Sequence, residues 1–157
     1  MAEIAVVEGR SDADYALGRR LFEAYAAELN VDLRFQGFAA ELENLPGIYG
    51  PPAGVLLLGR VDGQTAGCVA VRDRGEGACE MKRLYVQPAA RGTGLGRALA
   101  EESILRARAL GYRKMVLDTL ETLKPALALY QSLGFEKTGA YYANPLAGVV
   151  YLAVQLG

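Results

Sequence analysis

RGTGLGRAL, residues 91 to 99, places three alternating glycines directly ahead of a helix-like run and follows the strand-like LYV (84–86) and the spacer QPAA (87–90). Glycine allows positive φ and close approach of backbone to a ligand, and the first turn of a helix carries N–H groups with no intrahelical acceptor. A glycine-rich entry into a helix is therefore an anion site, and spacing decides which anion it takes. A bare strand-to-helix turn also satisfies these residues.

Two nucleotide loops fail on spacing. A Walker loop ends in Gly-Lys-Ser/Thr, because the Lys reaches phosphate and the hydroxyl holds magnesium, whereas Gly96 precedes Arg97-Ala98. A dinucleotide turn needs a third glycine where Arg97 or Leu99 stands, and it follows its strand directly, without the QPAAR spacer found here.

Working outward, Leu95, Ala98, Leu99, Leu105, Ala109 and Leu110 recur at helical spacing, and Gly111 ends that helix. Glu102 and Arg106, four apart, are placed to pair at its rim. KMVLDT (114–119) reads as a strand, LKPALALYQSL (123–133) as a helix, and FEKTGAYY and GVVYLAVQL as two last strands around ANPLAG. Upstream, EIAVVE (3–8) is a strand, Ser11-Asp12 caps a long amphipathic helix, and FAAELENL (38–45) is a shorter helix ending at Pro46-Gly47, with IYGPPAG a loop. VLLLGRV, the turn Asp62-Gly63 and QTAGCVAVR form a hairpin, followed by the loop DRGEG and the strand ACEMKRLYV (78–86). The order predicts an α/β (α+β) fold: a mixed, largely antiparallel sheet of about seven strands flanked by about four helices, with a right-handed parallel crossover from strand 78–86 to strand 114–119.

The 157 residues, 52% hydrophobic and 22% charged, suit one domain spanning 1–157. Seventeen basic against eighteen acidic residues, with no basic run, argue against nucleic acid as a partner. The start MAEIAVVEGR lacks the features of a signal peptide and no stretch has the length of a membrane span, so no membrane partner and a cytoplasmic location are expected. Cys68 and Cys79 lie in apolar strands and read as buried thiols. With no histidine in the sequence, His-based triads and His-ligated metal sites are excluded, and no metal is expected.

Arg91-x-x-Gly94-x-Gly96 resembles the Q/R-x-x-G-x-G/A motif of the GNAT superfamily of acyl-CoA-dependent N-acyltransferases, and ALALYQSLGF (126–135) resembles its A-x-x-L-Y-x-x-x-G-F signature. The motifs fall in the family's order, and the expected element order matches its fold. LPGIYGPP, CEMKRLYV, LDTL and YYANPLAGVVY further resemble a bacterial subgroup of uncharacterised small-molecule acetyltransferases.

The resemblance implies that backbone N–H groups of Gly92, Thr93, Gly94, Leu95, Gly96 and Arg97 hold the pyrophosphate of acetyl-CoA, with charge from Arg91 and Arg97. It implies that the pantetheine arm pairs with Leu84, Tyr85 and Val86, where this strand splays from KMVLDT. Tyr130 matches the tyrosine that protonates the leaving thiolate, although its helical position equally suits a core tyrosine. Glu80 stands where some members carry a general base; a structural pair with Lys82 or a cross-strand partner is the other reading. The family often has Asn seven residues before the tyrosine, where this chain has Leu123. Acceptor-lining candidates are Tyr25, Arg34, Tyr49, Tyr141, Tyr142 and Asn144.

The implied function is direct transfer of acetyl from acetyl-CoA to a primary amine of a small molecule in a ternary complex. A non-catalytic acyl-CoA-binding module and a protein-lysine acetyltransferase are the alternatives. Pairing of the last strands with a second copy would make a homodimer.

Overall fold

The computed structural model describes residues 2–33 and 36–157. Strand β1 (Ile4–Gly9) leads through Ser11 into helix α1 (Asp12–Leu29). Ser11 forms a capping box: its hydroxyl accepts from the Asp14 amide at 3.0 Å, and the Asp14 carboxylate accepts from the Ser11 amide at 3.2 Å. Two short helices follow, α2 (Phe38–Glu43) and α3 (Leu45–Tyr49). The sequence reading ended one helix at Pro46-Gly47. In the structure Pro46 falls in the first turn of α3, where the missing N–H costs nothing, so a second helix starts where a stop was expected.

Strands β2 (Val55–Val61) and β3 (Gln64–Gly75) meet at Asp62-Gly63, both at positive φ as a tight hairpin requires. β3 runs on through the expected loop DRGEG. A second pair of positive-φ residues, Glu76 and Gly77, turns it directly into β4 (Ala78–Val86). After a short 3₁₀ turn at Pro88–Ala90 come helix α4 (Leu95–Ala109), strand β5 (Lys114–Leu120), helix α5 (Lys124–Ser132), and strands β6 (Glu136–Lys137) and β7 (Val149–Gln155).

The seven strands form one sheet in the order β1-β2-β3-β4-β5-β7-β6. Every neighbouring pair is antiparallel except β4–β5, which is parallel, as the crossover through α4 requires. One face packs under α4 and α5, around Leu57, Val69, Met81, Leu99, Met115 and Tyr130. The other packs under α1 to α3, around Phe22, Tyr49, Leu56, Leu58 and Cys68.

Two further expectations are corrected. Leu105 and Leu110 are exposed, and α4 buries Leu95, Leu99, Ala100, Ser103, Ile104 and Ala107. At roughly 100° per residue the small Ala and Ser positions share the sheet-facing side, while Leu105 lies across the helix from it. The strand expected over FEKTGAYY shrinks to Glu136–Lys137, with one further bond from the Thr138 amide to the Tyr151 carbonyl at 2.9 Å. Beyond it the chain leaves the sheet, and Tyr142 and Asn144 bond to Asp118 on β5. Glu102 and Arg106 do pair, at 3.3 Å.

Candidate active site

β4 and β5 pair only at Ala78↔Lys114, Cys79↔Met115 and Glu80↔Val116. Past Glu80 they diverge, so the β5-facing edge of Leu84 to Val86 has no strand partner among the described residues, while the opposite edge keeps β3 through Cys68↔Tyr85 and Gly67↔Val86. Within the diverging part Arg83 has φ +61°, beside a register shift between Cys68 and Ala70. Such a bulge strains a non-glycine residue and redirects its side chain, and it persists only where neighbours hold it. Here Glu41 holds it: Arg83 Nε and Nη2 donate to its two carboxylate oxygens at 3.0 and 2.7 Å, and the Tyr49 hydroxyl donates to the same carboxylate at 3.0 Å. Burial pushes the Glu41 carboxyl up, but the hydrogen bonds and charge of Arg83 outweigh it and leave it below the ordinary range.

At the outer end of the gap, the 3₁₀ turn and the positive-φ residues Gly92 and Gly94 lead into α4, with Gly94 as its N-cap and no side chain capping it. The Thr93 hydroxyl donates to the Ala90 carbonyl at 2.6 Å and ties the loop. The amides of Gly96 and Arg97 in the first turn have no intrahelical acceptor. A Cβ on Gly92 would meet nothing within 4 Å, and on Gly96 only a Val86 methyl at 3.7 Å, so the loop borders open space at these two glycines. The two arginines turn elsewhere. Arg91 Nε donates to the Val86 carbonyl at 3.0 Å and its head pairs with Glu28, while Arg97 donates to the Ser132 hydroxyl at 2.6 Å. The cradle is thus built from main chain.

From the cradle a mostly apolar groove runs between Leu84, Tyr85 and Val86 on one side and Leu123, Ala126 and Leu129 on the other. It joins an inner cavity that shares Tyr25, Leu29, Leu84, Leu123 and Ala126 with it and adds Lys82, Asp118, Tyr130 and Asn144. Tyr130 is 7% exposed, packs edge-on against Phe135 at 5.7 Å, and its hydroxyl has no hydrogen-bond partner among the described residues. Burial, with Tyr25 and the Asp118 charge behind it, pushes its hydroxyl pKa up.

The crossing loop closes the far wall. Tyr142 donates to Asp118 and accepts from Gln36 Nε2 at 2.9 Å, and Asn144 donates to Asp118 at 2.7 Å. Behind it Tyr141 donates to Glu80 Oε2 at 2.6 Å. Glu80 is 1% exposed, and its Oε1 has no hydrogen bond among the described residues, with the Arg74 guanidinium 3.8 Å away. Burial and the charges of Glu80 and Asp118 hold the Tyr141 hydroxyl above its ordinary range. Both cysteines are buried, and burial raises both thiols, Cys79 to about 12.

The expected residues therefore separate. Leu84, Tyr85, Val86, Arg91 and Gly96 line the groove; Tyr25, Tyr130 and Asn144 line the cavity; Tyr142 braces its wall. Tyr49 lies in the core with its hydroxyl on Glu41, away from the cavity, and Arg34 falls outside the described residues. Glu80 does not pair with Lys82; the cross-strand reading is met by Arg74 on β3, 3.8 Å from Oε1, and Tyr141 covers the other oxygen. Sequence reasoning missed Asp118 and Lys82 as cavity residues and the Arg83–Glu41 pair. Side-chain alternation along strands 78–86 and 114–119 was the available signal for the first two, since both lie past the point of divergence.

Among described residues no helix is long and apolar enough to cross a membrane. The family model for the acetyltransferase (GNAT) family matches residues 18–135. An uncharacterised N-acetyltransferase of Schizosaccharomyces pombe is 49% identical over 140 residues, covering 88% of this chain and 86% of the relative. A GNAT-family acetyltransferase structure from Staphylococcus aureus Mu50 superposes with a TM-score of 0.81 at 16% identity, covering 99% of this chain and 100% of that one. The yncA structure from Salmonella typhimurium, which contains its cofactor acetyl-CoA, superposes with a TM-score of 0.70 at 22% identity over 99% and 95% of the two chains. The Gly-rich cradle, the diverging strands and the buried tyrosine thus occur in a chain that belongs to the GNAT acetyltransferase family.

Proposed function

We propose that this protein transfers acetyl from acetyl-CoA to a primary amine of a small molecule, with both bound at once. The observation that carries it is the passage running from the first-turn amides of α4, along the open edge of β4, to the Tyr130 hydroxyl, which has no partner among the described residues. The residues present fit acetyl-CoA: main-chain donors for a pyrophosphate, an unpaired strand edge for an extended amide-bearing arm, and an apolar groove between them.

Acetyl-CoA in this passage supplies the thioester, whose C–S bond breaks as the amine nitrogen bonds to the carbonyl carbon. Tyr130 gives its hydroxyl proton to the departing sulfur, and its high pKa keeps that proton available at neutral pH. The amine proton passes by water to the Tyr141 hydroxyl, which hands its own to Glu80 Oε2. Arg74 stays close enough to steady the Glu80 carboxylate.

A second acceptor for that proton is favoured by one observation: Asp118 lines the cavity itself, whereas Glu80 does not. Glu80→Gln, Tyr141→Phe and Asp118→Asn separate the two in pH profiles of kcat/KM. The Glu80 route requires that the first two lower the rate alike, by roughly the hundredfold or more of a lost proton-transfer group. A loss confined to Asp118→Asn assigns the base to Asp118. The activity itself is tested by CoA release across a panel of amines: release that depends on one acceptor supports it, and acetyl-CoA binding without release for any amine leaves a binding module.

A further inference from the structure

The cavity contains a charged group that acyl transfer does not use. Lys82 lines it from β4, and its ammonium makes one long contact, to Gln36 Oε1 at 3.5 Å. No carboxylate lies within ion-pair distance of it among the described residues. The acids nearby are engaged elsewhere: Glu41 grips Arg83 with both oxygens, Glu80 accepts from Tyr141, and Asp118 accepts from Tyr142 and Asn144. Burial pushes the Lys82 ammonium pKa down, and Arg83, next along the strand, adds a second positive charge that pushes it the same way, against the pull of the Glu80, Glu41 and Asp118 charges. A half-buried cation without a counter-ion is unfavourable until an anion reaches it.

Leu29, Leu33, Leu120, Leu123 and Leu146 make one part of the remaining wall apolar, beside the neutral polar side chains of Gln36, Thr119 and Asn144. Asp118 on β5 gives the opposite wall a negative charge, which repels an anion there and attracts an ammonium. The cavity is therefore polarised across the gap between the strands, positive on β4 and negative on β5.

From a Lys82 ammonium that no described carboxylate pairs, sharing a cavity with Asp118 and a leucine-rich wall, we infer that the acceptor is an amine that also carries a carboxylate, an amino acid or close analogue with an apolar side chain, its carboxylate paired with Lys82. This rests on the acetyltransferase reading above. A single ammonium matches one carboxylate, whereas a phosphate dianion in the same place would require more donors than this wall offers. With the carboxylate on β4, the amine end is directed toward β5 and Tyr130, where the acyl carbon must lie for transfer.

The test compares CoA release for apolar amino acids such as leucine, methionine and phenylalanine with release for the corresponding decarboxylated amines and carboxamides. The inference requires kcat/KM at least about tenfold higher for an acid than for its amine and amide, since a charge-assisted contact is lost with the carboxylate. Lys82→Met should erase most of that preference through a raised KM for the acid, and Lys82→Arg, which keeps the charge, should restore part of it. A role confined to folding would lower all three substrate types together. Equal turnover of acids, amines and amides by the unaltered protein overturns the inference and leaves the acetyltransferase reading standing. So does a preference for acids that survives in Lys82→Met. No release with any acceptor removes both.

Discussion

Tyr130 shows how one residue serves two demands. Its ring fills the core beneath α5 against Phe135, and it lines the cavity with a hydroxyl that has no partner among the described residues. A tyrosine held only for packing normally spends its hydroxyl on a hydrogen bond, so an unspent one beside an apolar groove is placed for a ligand. Tyr130→Phe is expected to lower kcat by roughly a hundredfold while the affinity for acetyl-CoA, measured by calorimetry, stays within about twofold, because the ring remains. The pH dependence follows in sign: the hydroxyl is raised above its ordinary 10.0, so the acid form persists as pH rises and no alkaline loss of kcat due to Tyr130 appears below that pH. An alkaline limb below pH 10 that vanishes in Tyr130→Phe would contradict the assignment. The core-facing place of Tyr130 on its helix was readable from the spacing of its neighbours, whereas its proposed role as acid came from the resemblance carried by L-Y-x-x-x-G-F. Lys82 was not singled out, although alternation along β4 and the expected splay placed it, because its lack of a contacting counter-ion depends on partners distant in sequence that engage the nearby acids.

The same contrast holds for elements. The hairpin at Asp62-Gly63, the cap at Ser11 and the stop at Gly111 were readable, since each is fixed by the φ or hydrogen-bond needs of two or three residues. The short β6 and the bulge in β4 were not, since partners distant in sequence decide them: Asp118 draws Tyr142 and Asn144 away from the sheet, and Glu41 holds Arg83 in its left-handed conformation. The second case ties α2 to the diverging end of β4. Removing the acid leaves a buried guanidinium unpaired, so Glu41→Ala is expected to cost about 3–5 kcal/mol. For a domain of this size that lowers Tm by roughly 10 °C. The pH sign is fixed by the lowered Glu41 carboxyl: the stability it contributes is complete above the unfolded value near 4.5 and is lost as pH falls through the lower folded value. Glu41→Gln should accordingly flatten the dependence of Tm on pH below about 4.5. An unchanged slope would mean that the pair contributes nothing to acid sensitivity.

In the whole molecule, the sheet is continuous on one side of the gap and interrupted on the other. β1 to β4 pair along most of their lengths, as do β5 and β7, but the two halves join through three residue pairs at the base of the divergence. Backbone amides at the diverging ends and in the first turn of α4 therefore lack the partners that protect the rest of the sheet. A ligand that pairs with the open edge of β4 and with the amides of α4 supplies those partners and couples the halves. Saturating acetyl-CoA, at about 100 times its Kd, stabilises the native state by about 2.7 kcal/mol if it binds only the folded chain. Hydrogen exchange tells where that stabilisation is felt. Amides of Leu84 to Val86 and of Gly92 to Arg97 should slow more than those of β1 and β2, whose pairing is already complete without ligand. Equal slowing across all seven strands would indicate a global shift in stability without pairing at the gap, and protection confined to α4 would show that the cradle binds while the strand edge remains open.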